Sequence, residues 1–158
     1  MEHYTKTLPY ELELTSRVLH EATRCFFELQ KFPISQEEFI ILDCLYINPN
    51  IIQMEIAKLI LKGRAHTGKF LKSLEEKKLI TRTPVKQGSK IVMQIKITDK
   101  GLKTYRKIAN ALDEHIKDAS AGLKIRINDV ISALQTIRED AVTKFNIKFC
   151  LLYTSDAA

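Results

Sequence analysis

One alternating segment interrupts a chain that otherwise shows the apolar spacing of amphipathic helices. Isoleucine or methionine takes every second position of this segment, at Ile91, Met93, Ile95 and Ile97. Residues 79–85 precede it, and the glycine-containing segment 86–90 lies between the two. Two candidate strands that flank a glycine turn predict a β-hairpin. The predicted fold is therefore mainly α, with one small β-hairpin.

The first 50 residues contain two predicted helices. Apolar residues at helical spacing extend over 8–31, and Pro9 stands where a first turn tolerates proline. Ser35 and Glu38 are placed as the two ends of a capping box, which predicts the start of the second helix. The Asn-Pro-Asn segment 48–50 ends it.

Four more helices are predicted around the hairpin. Asn50 is the predicted cap of a short third helix, and Gly63 permits a tight turn into a fourth helix from about residue 64 to 78. The fifth helix begins at 98–99, and Gly122 separates it from the sixth. Two short helices joined by a glycine turn, the second polar and basic on its outer side, are typical of a helix-turn-helix.

Positive charge is concentrated in one third of the chain. Residues 58–107 contain 15 Lys and Arg against three acidic residues, a local charge of +12, although the whole chain carries only +6. The remaining residues therefore carry −6. This asymmetry favours a polyanionic partner. The alternative is a solvated basic face without a partner.

The sequence lacks the patterns of several other protein classes. No apolar run reaches the roughly 18 residues of a membrane span, and residues 1–10 lack a secretory signal, so we expect a cytoplasmic protein without a membrane partner. The three cysteines show no C-x-x-C spacing, and no two of the four histidines stand at i, i+3 or i, i+4. We therefore predict no disulfide framework, metal site or cofactor.

An enzyme is the first alternative function, and its common motifs are missing. The sequence contains no G-x-S-x-G, no G-x-x-x-x-G-K-[ST] and no H-E-x-x-H. The carboxylate pairs Glu37/Glu38 and Asp113/Glu114 are adjacent along predicted helices, so we interpret them as diverging, solvated surface charges. No catalytic residue is predicted, and the chain is not expected to be an enzyme.

Four short motifs, in order along the chain, resemble the MarR (multiple-antibiotic-resistance regulator) family of winged helix-turn-helix proteins. Residues 53–57 (QMEIA) are similar to the family's opening of the first helix of the DNA-binding motif, and 74–80 (LEEKKLI) to the end of its recognition helix. Arg82 follows at the matching offset. Residues 97–101 (ITDKG) are similar to the Leu-Thr-x-x-Gly signature where the wing, the β-hairpin, closes into the next helix. The resemblance covers about residues 8–145.

The chain departs from the family pattern at three places, the first of which is Ile52 in the usual capping position, so that the cap is expected at Asn50. The family usually has an Asp and an Arg two residues apart in the wing, and Ser89 and Ile91 stand at the matching positions. Gly68 lies inside the predicted recognition helix, which it weakens by about 1 kcal/mol relative to Ala while allowing close approach of a neighbouring surface.

The resemblance implies a division of the chain into a DNA-binding lobe and dimerisation helices. The winged helix-turn-helix lobe spans 35–101, and the dimerisation helices span 8–31 and 123–146, all within a single domain at 1–149. Residues 150–158 continue no helical pattern and are expected to be a disordered or appended tail.

The resemblance also implies a sequence-specific regulator whose fourth helix lies in the major groove of duplex DNA. Arg64 or Lys69 suits guanine, and the methyl group of Thr67 suits thymine. The alternative for Lys69 and Lys72 is that they are only solvated helix charges, and the wing tip is then an ordinary solvated hairpin end. The alternative for Thr67 is that it packs inside the motif. The predicted DNA-binding residues are Arg64, His66, Thr67, Lys69, Lys72, Arg82, Lys86, Gln87, Ser89 and Lys90.

The first and last helices carry more apolar surface than one small lobe covers, which favours a homodimer. A dimer presents two recognition helices to successive major grooves and therefore binds a pseudo-palindromic operator. The alternative is that the same residues close a monomeric core. The predicted interface residues are Leu8, Leu12, Ile127, Ile131, Leu134 and Ile137.

By the same resemblance, the protein is a repressor released from DNA by a small molecule or by cysteine oxidation. Cys25 is the candidate redox sensor, and its helical spacing also fits a place in the core. The alternative function is a winged-helix module that binds protein or RNA without operator-specific DNA binding.

Overall fold

The computed structural model describes residues 3–49, 51–60 and 62–147, with residue 87 described by its backbone alone. Within these residues the chain forms six α-helices and one two-stranded antiparallel sheet, preceded by a short 3-10 turn at Tyr4–Lys6. The predicted mainly α fold with one hairpin is confirmed. The elements are α1 (Leu8–Leu29), α2 (Gln36–Ile47), α3 (Gln53–Leu59), α4 (Arg64–Glu76), β1 (Ile80–Gln87), β2 (Lys90–Ile97), α5 (Asp99–Ser120) and α6 (Ile127–Lys144). The predicted tail at 150–158 lies outside the described residues.

The hydrophobic core lies between α2, α3, α4, the base of the hairpin and the first half of α5. α1 adds Phe26 and Phe27 from its C-terminal end. The whole of α6 is described, and it adds no buried residue. The core therefore belongs to the lobe that carries the hairpin. Its fully buried aliphatic side chains are Ile41, Leu42, Leu45, Ile56, Leu71, Leu74, Ile80, Ile95 and Ile108.

The predicted capping box at the start of α2 is present. The Ser35 hydroxyl accepts a hydrogen bond from the Glu38 amide at 3.3 Å, and the Ser35 amide donates to a Glu38 carboxylate oxygen at 2.8 Å. Glu38 is only 3 % exposed, and its carboxylate also accepts two hydrogen bonds from Lys77 Nζ at 2.7 and 2.9 Å. The interpretation of Glu38 as a solvated charge is therefore wrong, because a buried carboxylate needs such partners. The pair ties the start of α2 to the residue that follows α4.

The start of α3 differs from the prediction. Ile52, rather than Asn50, occupies the N-cap position, and its amide donates to a Glu55 carboxylate oxygen at 3.0 Å. The Glu55 carboxylate thus accepts from one of the backbone amides that have no partner within the first turn of a helix. Ile52 also forms a single β-bridge with Gln94 of β2. One bridge is too short to leave an alternating pattern in the sequence.

The wing is longer and its turn tighter than the sequence predicted. β1 and β2 pair without a bulge from Ile80 opposite Ile97 to Gln87 opposite Lys90. The turn consists of Gly88 and Ser89 alone, instead of the predicted five residues, because Gly88 adopts a φ of 62°. Glycine reaches this conformation without strain, and two-residue hairpin turns require it.

Hydrogen bonds join the end of α4, the base of the wing and the start of α5. The Leu79 carbonyl accepts from the Thr98 amide at 3.0 Å, and the Thr98 hydroxyl donates to the Lys78 carbonyl at 2.9 Å. The same hydroxyl caps α5 by accepting from the Gly101 amide at 3.0 Å. We call residues 77–80 and 97–101 together the wing-base junction.

Gly101 is required at this junction because of the space it leaves. A Cβ atom built on Gly101 would lie 2.0 Å from the Leu79 carbonyl oxygen. No side-chain rotation relieves such a contact, because the obstructing atom belongs to the backbone. The glycine of the Thr-x-x-Gly motif therefore lets α5 pack directly against the chain that enters the wing.

We expect Gly101→Ala to lower the free energy of unfolding by about 1–3 kcal/mol or more, because overpacking forces the backbone apart. Urea denaturation followed by circular dichroism measures this change. Gly122→Ala is the matched control, since nothing lies within 4 Å of its added Cβ atom. Equal stability of the two variants would contradict the role assigned to Gly101.

Candidate nucleic-acid interface

Helix α4 presents a row of polar side chains to solvent. Arg64, His66, Lys69 and Lys72 are all exposed, as the sequence predicted for an outer face. Lys72 lies 3.8 Å from Glu76, and Lys69 has no carboxylate within 4 Å among the described residues. The free amides of the first helical turn lie at the same end as Arg64, and they give that end partial positive charge. This end of α4 can therefore attract and hydrogen-bond anionic groups.

Thr67 does not belong to this exposed row. Its side chain is 0 % exposed, and its hydroxyl donates to the Gly63 carbonyl at 3.1 Å. The prediction that its methyl group reaches a base is wrong, because the side chain packs inside the lobe. Thr67 stands four residues before Leu71 and seven before Leu74, and this helical spacing on one face was the signal for burial.

Helix α3 borders the same surface, which the sequence reasoning missed. Arg64 Nη2 lies 3.5 Å from the sulfur of Met54, and Met54 is itself exposed. A Cβ atom on Gly68 would lie 3.5 Å from Gln53 Nε2, so α3 and α4 approach each other closely at this point. Gln53 and Met54 therefore extend the candidate interface beyond α4.

The wing carries a second group of exposed cations. Lys86, Ser89 and Lys90 are exposed around the Gly88 turn, and the side chain of Gln87 lies outside the described part of the chain. Neither Lys86 nor Lys90 forms an ion pair with a described carboxylate. Both ammonium groups therefore remain available to an anion.

Arg82 is bound within the chain. Its Nε donates to a Glu75 carboxylate oxygen at 2.8 Å, and its Nη2 contacts the same oxygen. The Arg82 guanidinium, by this hydrogen bonding, holds the pKa of the Glu75 carboxyl below its usual range. Arg82 thus anchors the base of the wing to α4, and much of its charge is compensated there.

The basic third of the chain does not form one surface. Lys96, Lys100, Lys103 and Lys107 lie at the base of β2 and along the first turns of α5. Lys100 Nζ donates to the Lys77 carbonyl at 2.9 Å, at the wing-base junction. An eight-residue strand spans about 25 Å, which separates this group from the turn of the wing. The local charge of +12 therefore overstates the charge of the candidate interface.

The predicted dimer residues lie on an apolar face that the single chain leaves open. On α6, the side chains of Ile131, Leu134 and Ile137 are 38–46 % exposed. Leu8 is exposed as well, whereas Leu12 and Ile127 are half-buried. Since α6 adds nothing to the core, these residues do not close a monomeric core within the described chain.

Cys25 is exposed, so its predicted place in the core is wrong. Its sulfur lies 3.9 Å from a Glu21 carboxylate oxygen. The adjacent cation Arg24 is paired instead with Glu21, at 2.9 Å from Nε, and with Glu28. Reactive thiols usually have a nearby cation, so these contacts do not favour a sensor.

The described residues contain neither a candidate membrane span nor a cluster of metal ligands. None of the helices there is both long and apolar enough to cross a membrane. Among the same residues, no three His, Cys, Asp or Glu side chains are grouped as metal ligands.

The chain is similar to one known family over part of its length, and to several solved structures. The model of the MarR family matches residues 34–92. A Bacillus subtilis (strain 168) protein, the uncharacterized HTH-type transcriptional regulator YybA, is 27 % identical over 124 residues, which are 78 % of this chain and 81 % of the relative. The transcriptional regulator SlyA has a similar structure, with a TM-score of 0.71, 25 % identity, and coverage of 89 % of this chain and 98 % of its own. MepR of Staphylococcus aureus, in its complex with DNA, has a TM-score of 0.70 at 23 % identity, covering 89 % of this chain and 99 % of its own, and shares the fold.

The pairing of Arg82 with Glu75 predicts a pH dependence of stability. The pKa of the Glu75 carboxyl is lower in the folded chain than in the unfolded chain. The stabilisation is therefore complete above the pKa that Glu75 has in the unfolded chain, and it disappears as pH falls through the pKa that Glu75 has in the folded chain. We expect Glu75→Gln to unfold more easily than the unmodified chain at pH 7, with the difference shrinking towards pH 3. Urea titrations at a series of pH values measure it. A difference that does not depend on pH would contradict the assignment, and Glu114→Gln is the exposed control.

Proposed function

This chain belongs to the MarR family of transcriptional regulators, and from that premise we propose that it is a homodimer that binds a specific sequence of duplex DNA through α4 and the wing. The observation that carries the proposal is the placement of two cationic surfaces on one lobe, the outer face of α4 and the turn of the wing. Both are exposed, and their lysines at 69, 86 and 90 lack carboxylate partners among the described residues. A phosphate backbone supplies the missing negative charge.

Base reading is assigned to the start of α4. Recognition helices contact base edges with the residues of their first turns, since these enter the major groove first. Arg64, His66 and Lys69 occupy these turns and are exposed. Lys72, two turns along the helix, is assigned to phosphate. Met54 lies beside Arg64 and adds an apolar contact at the edge of the groove.

The wing is assigned to the phosphate backbone and minor groove next to the major groove that α4 occupies. Lys86, Ser89 and Lys90 contact the DNA there, whereas Arg82 serves mainly to hold the wing against Glu75. The wing is therefore held at its base by an ion pair and carries its free charges at its turn.

The second subunit is assigned to the open apolar face of α1 and α6. Covering this face removes Leu8, Ile131, Leu134 and Ile137 from water, which stabilises association by about 25 cal/mol per Å² of apolar surface. Twofold symmetry then pairs the same surfaces on both copies and places two α4 helices about one turn of DNA apart. The expected operator is pseudo-palindromic.

We further assign the protein to repression with release by a small molecule. A cavity of about 510 Å³ lies between α1 and α2, and its size suits a small organic ligand. It is lined in part by Phe27, Phe32 and His20. Release by a small molecule is favoured over release by oxidation of Cys25. A reactive thiol usually has a cation nearby to stabilise the thiolate, and Arg24, the cation next to Cys25, is already paired with two carboxylates.

The deciding experiment selects binding sites from a pool of random duplex DNA at about 0.15 M salt, followed by titration with salt. We expect an inverted repeat and a steep loss of affinity as salt rises. Uniformly weak binding without sequence enrichment would overturn the proposal and favour a module that binds protein or RNA.

Variants of single cations then test the assigned surface. On the selected duplex we expect Arg64→Ala to lower the binding free energy by about 1–3 kcal/mol and to relax specificity at one base-pair position. We expect Lys86→Ala to weaken binding to all sequences alike and to reduce the slope of log affinity against log salt by about one. Fluorescence anisotropy measures both. Lys103→Ala, an exposed lysine of α5, is the matched control and should leave the affinity nearly unchanged. A larger loss for Lys103→Ala than for Lys86→Ala would place the DNA elsewhere.

Charged substitutions on α6 test the dimer. We expect Leu134→Glu combined with Ile137→Glu to yield a folded monomer, because association would bury four unpaired carboxylates in an apolar interface. Sedimentation velocity gives the oligomeric state, and circular dichroism shows that the helices remain. Ile47→Glu, at a somewhat more exposed apolar site at the end of α2, is the control. A dimer that survives the double change would contradict this interface.

A further inference from the structure

The turn end of the wing exposes an unusual apolar side chain. Ile91 is 77 % exposed, although it stands on the strand face whose other members are partly or fully buried. Ile95 of the same face is completely buried, and Met93 between them is 38 % exposed. Exposure thus rises from Ile95 through Met93 to Ile91, and the apolar face continues beyond the lobe that covers it.

Ile91 lies within the cationic part of the wing. It pairs directly across the hairpin with Lys86, and Lys90 is its neighbour in sequence. Directly opposite side chains of an antiparallel pair lie on one face, with Cβ atoms about 4.5–5.5 Å apart. The same face carries Arg82, which is joined to Glu75 of α4. Ile91 therefore faces the side of the wing on which α4 lies.

Water is a poor environment for this side chain, and the fold offers it no cover. In a wing that faces only water, lysine, serine or threonine suits such a position. Ile91 is β-branched and stiff about χ1, so little side-chain entropy is lost when it is inserted into a narrow site. Apolar residues of this kind can act as wedges between base steps when flanking cations hold a wing in the minor groove.

We propose that Ile91 is an apolar wedge that enters the minor groove beside the α4 site and opens one base step. This inference rests on the proposed function, because it requires the wing to lie on duplex DNA. Lys86 and Lys90 bind the phosphates on either side, and Ile91 contacts the base and sugar edges between them. The wedge makes affinity depend on how easily that step unstacks, so flexible pyrimidine–purine steps are preferred at the flank of the operator.

Strand propensity is the competing explanation, since β-branched residues also stabilise exposed hairpins. Ile91→Thr separates strand propensity from the wedge. It keeps the branch at Cβ and replaces the ethyl group of isoleucine by a hydroxyl. Ile91→Val keeps both the shape and the apolar surface. Val92→Thr makes the same kind of change on the opposite face, where Val92 pairs with Val85.

The experiment uses the full chain and the duplex selected from the random pool, with 2-aminopurine placed in turn at each flanking position. Fluorescence of this base rises when it unstacks. We expect the unmodified chain to raise it at one flanking step. Ile91→Thr should abolish the rise and weaken binding about 10-fold, because the apolar contact is lost. Ile91→Val and Val92→Thr should keep both signals, and the salt slope should stay unchanged in all three.

The results separate this inference from the proposed function. If Ile91→Thr binds as tightly as the unmodified chain while Lys86→Ala is weakened, DNA binding by the wing stands and the wedge is overturned. The wedge is also overturned if no flanking position brightens with the unmodified chain. If the random pool yields no enriched duplex, both the proposed function and the wedge are overturned.

Discussion

The contact of Gly101 with the Leu79 carbonyl is the constraint on which the arrangement of the lobe depends. At this point α4 has just ended, β1 begins, β2 has returned and α5 starts. The carbonyl accepts from Thr98, while Thr98 caps α5 through Gly101 and binds the Lys78 carbonyl. Four elements therefore share a few backbone atoms. The junction therefore holds the end of α4, the base of the wing and the start of α5 against one another.

Ion pairs divide the basic residues into two groups with different tasks. Lys77 and Arg82 are engaged by Glu38 and Glu75, and these pairs hold α2, α4 and the wing in place. The lysines at 69, 86 and 90 have no such partner among the described residues. A cation that is already paired with a carboxylate gains less binding free energy from a phosphate than an unpaired cation does. The carboxylate already compensates its charge and the cost of its desolvation. The internal pairs therefore build the frame, and the free cations define the surface left for an anion.

Apolar surface is divided in the same way. Residues of α2, α3, α4 and the hairpin base are buried together, whereas the stripe of α6 and part of that of α1 remain open in the single chain. Periodicity alone does not distinguish these cases, because a stripe that packs on its own lobe and one that packs on another copy have the same spacing. Ile91 shows the same ambiguity on a strand, where alternation indicates a face without saying how far the cover extends.

The sequence by itself determined the helices, the hairpin, the capping box of Ser35 and Glu38, and the glycine motif at 97–101, because each depends on residues a few positions apart. Only the tertiary structure decided which of those residues are buried or engaged. Thr67 turns into the lobe, Glu38 is covered and paired with Lys77, Arg82 is held by Glu75, and Cys25 faces solvent. The spacing of Thr67 to Leu71 and Leu74 did indicate its burial. The pairing of Glu38 depends on a residue far along the chain, and the exposure of Cys25 depends on how the whole of α1 packs, and local spacing carries no information about either.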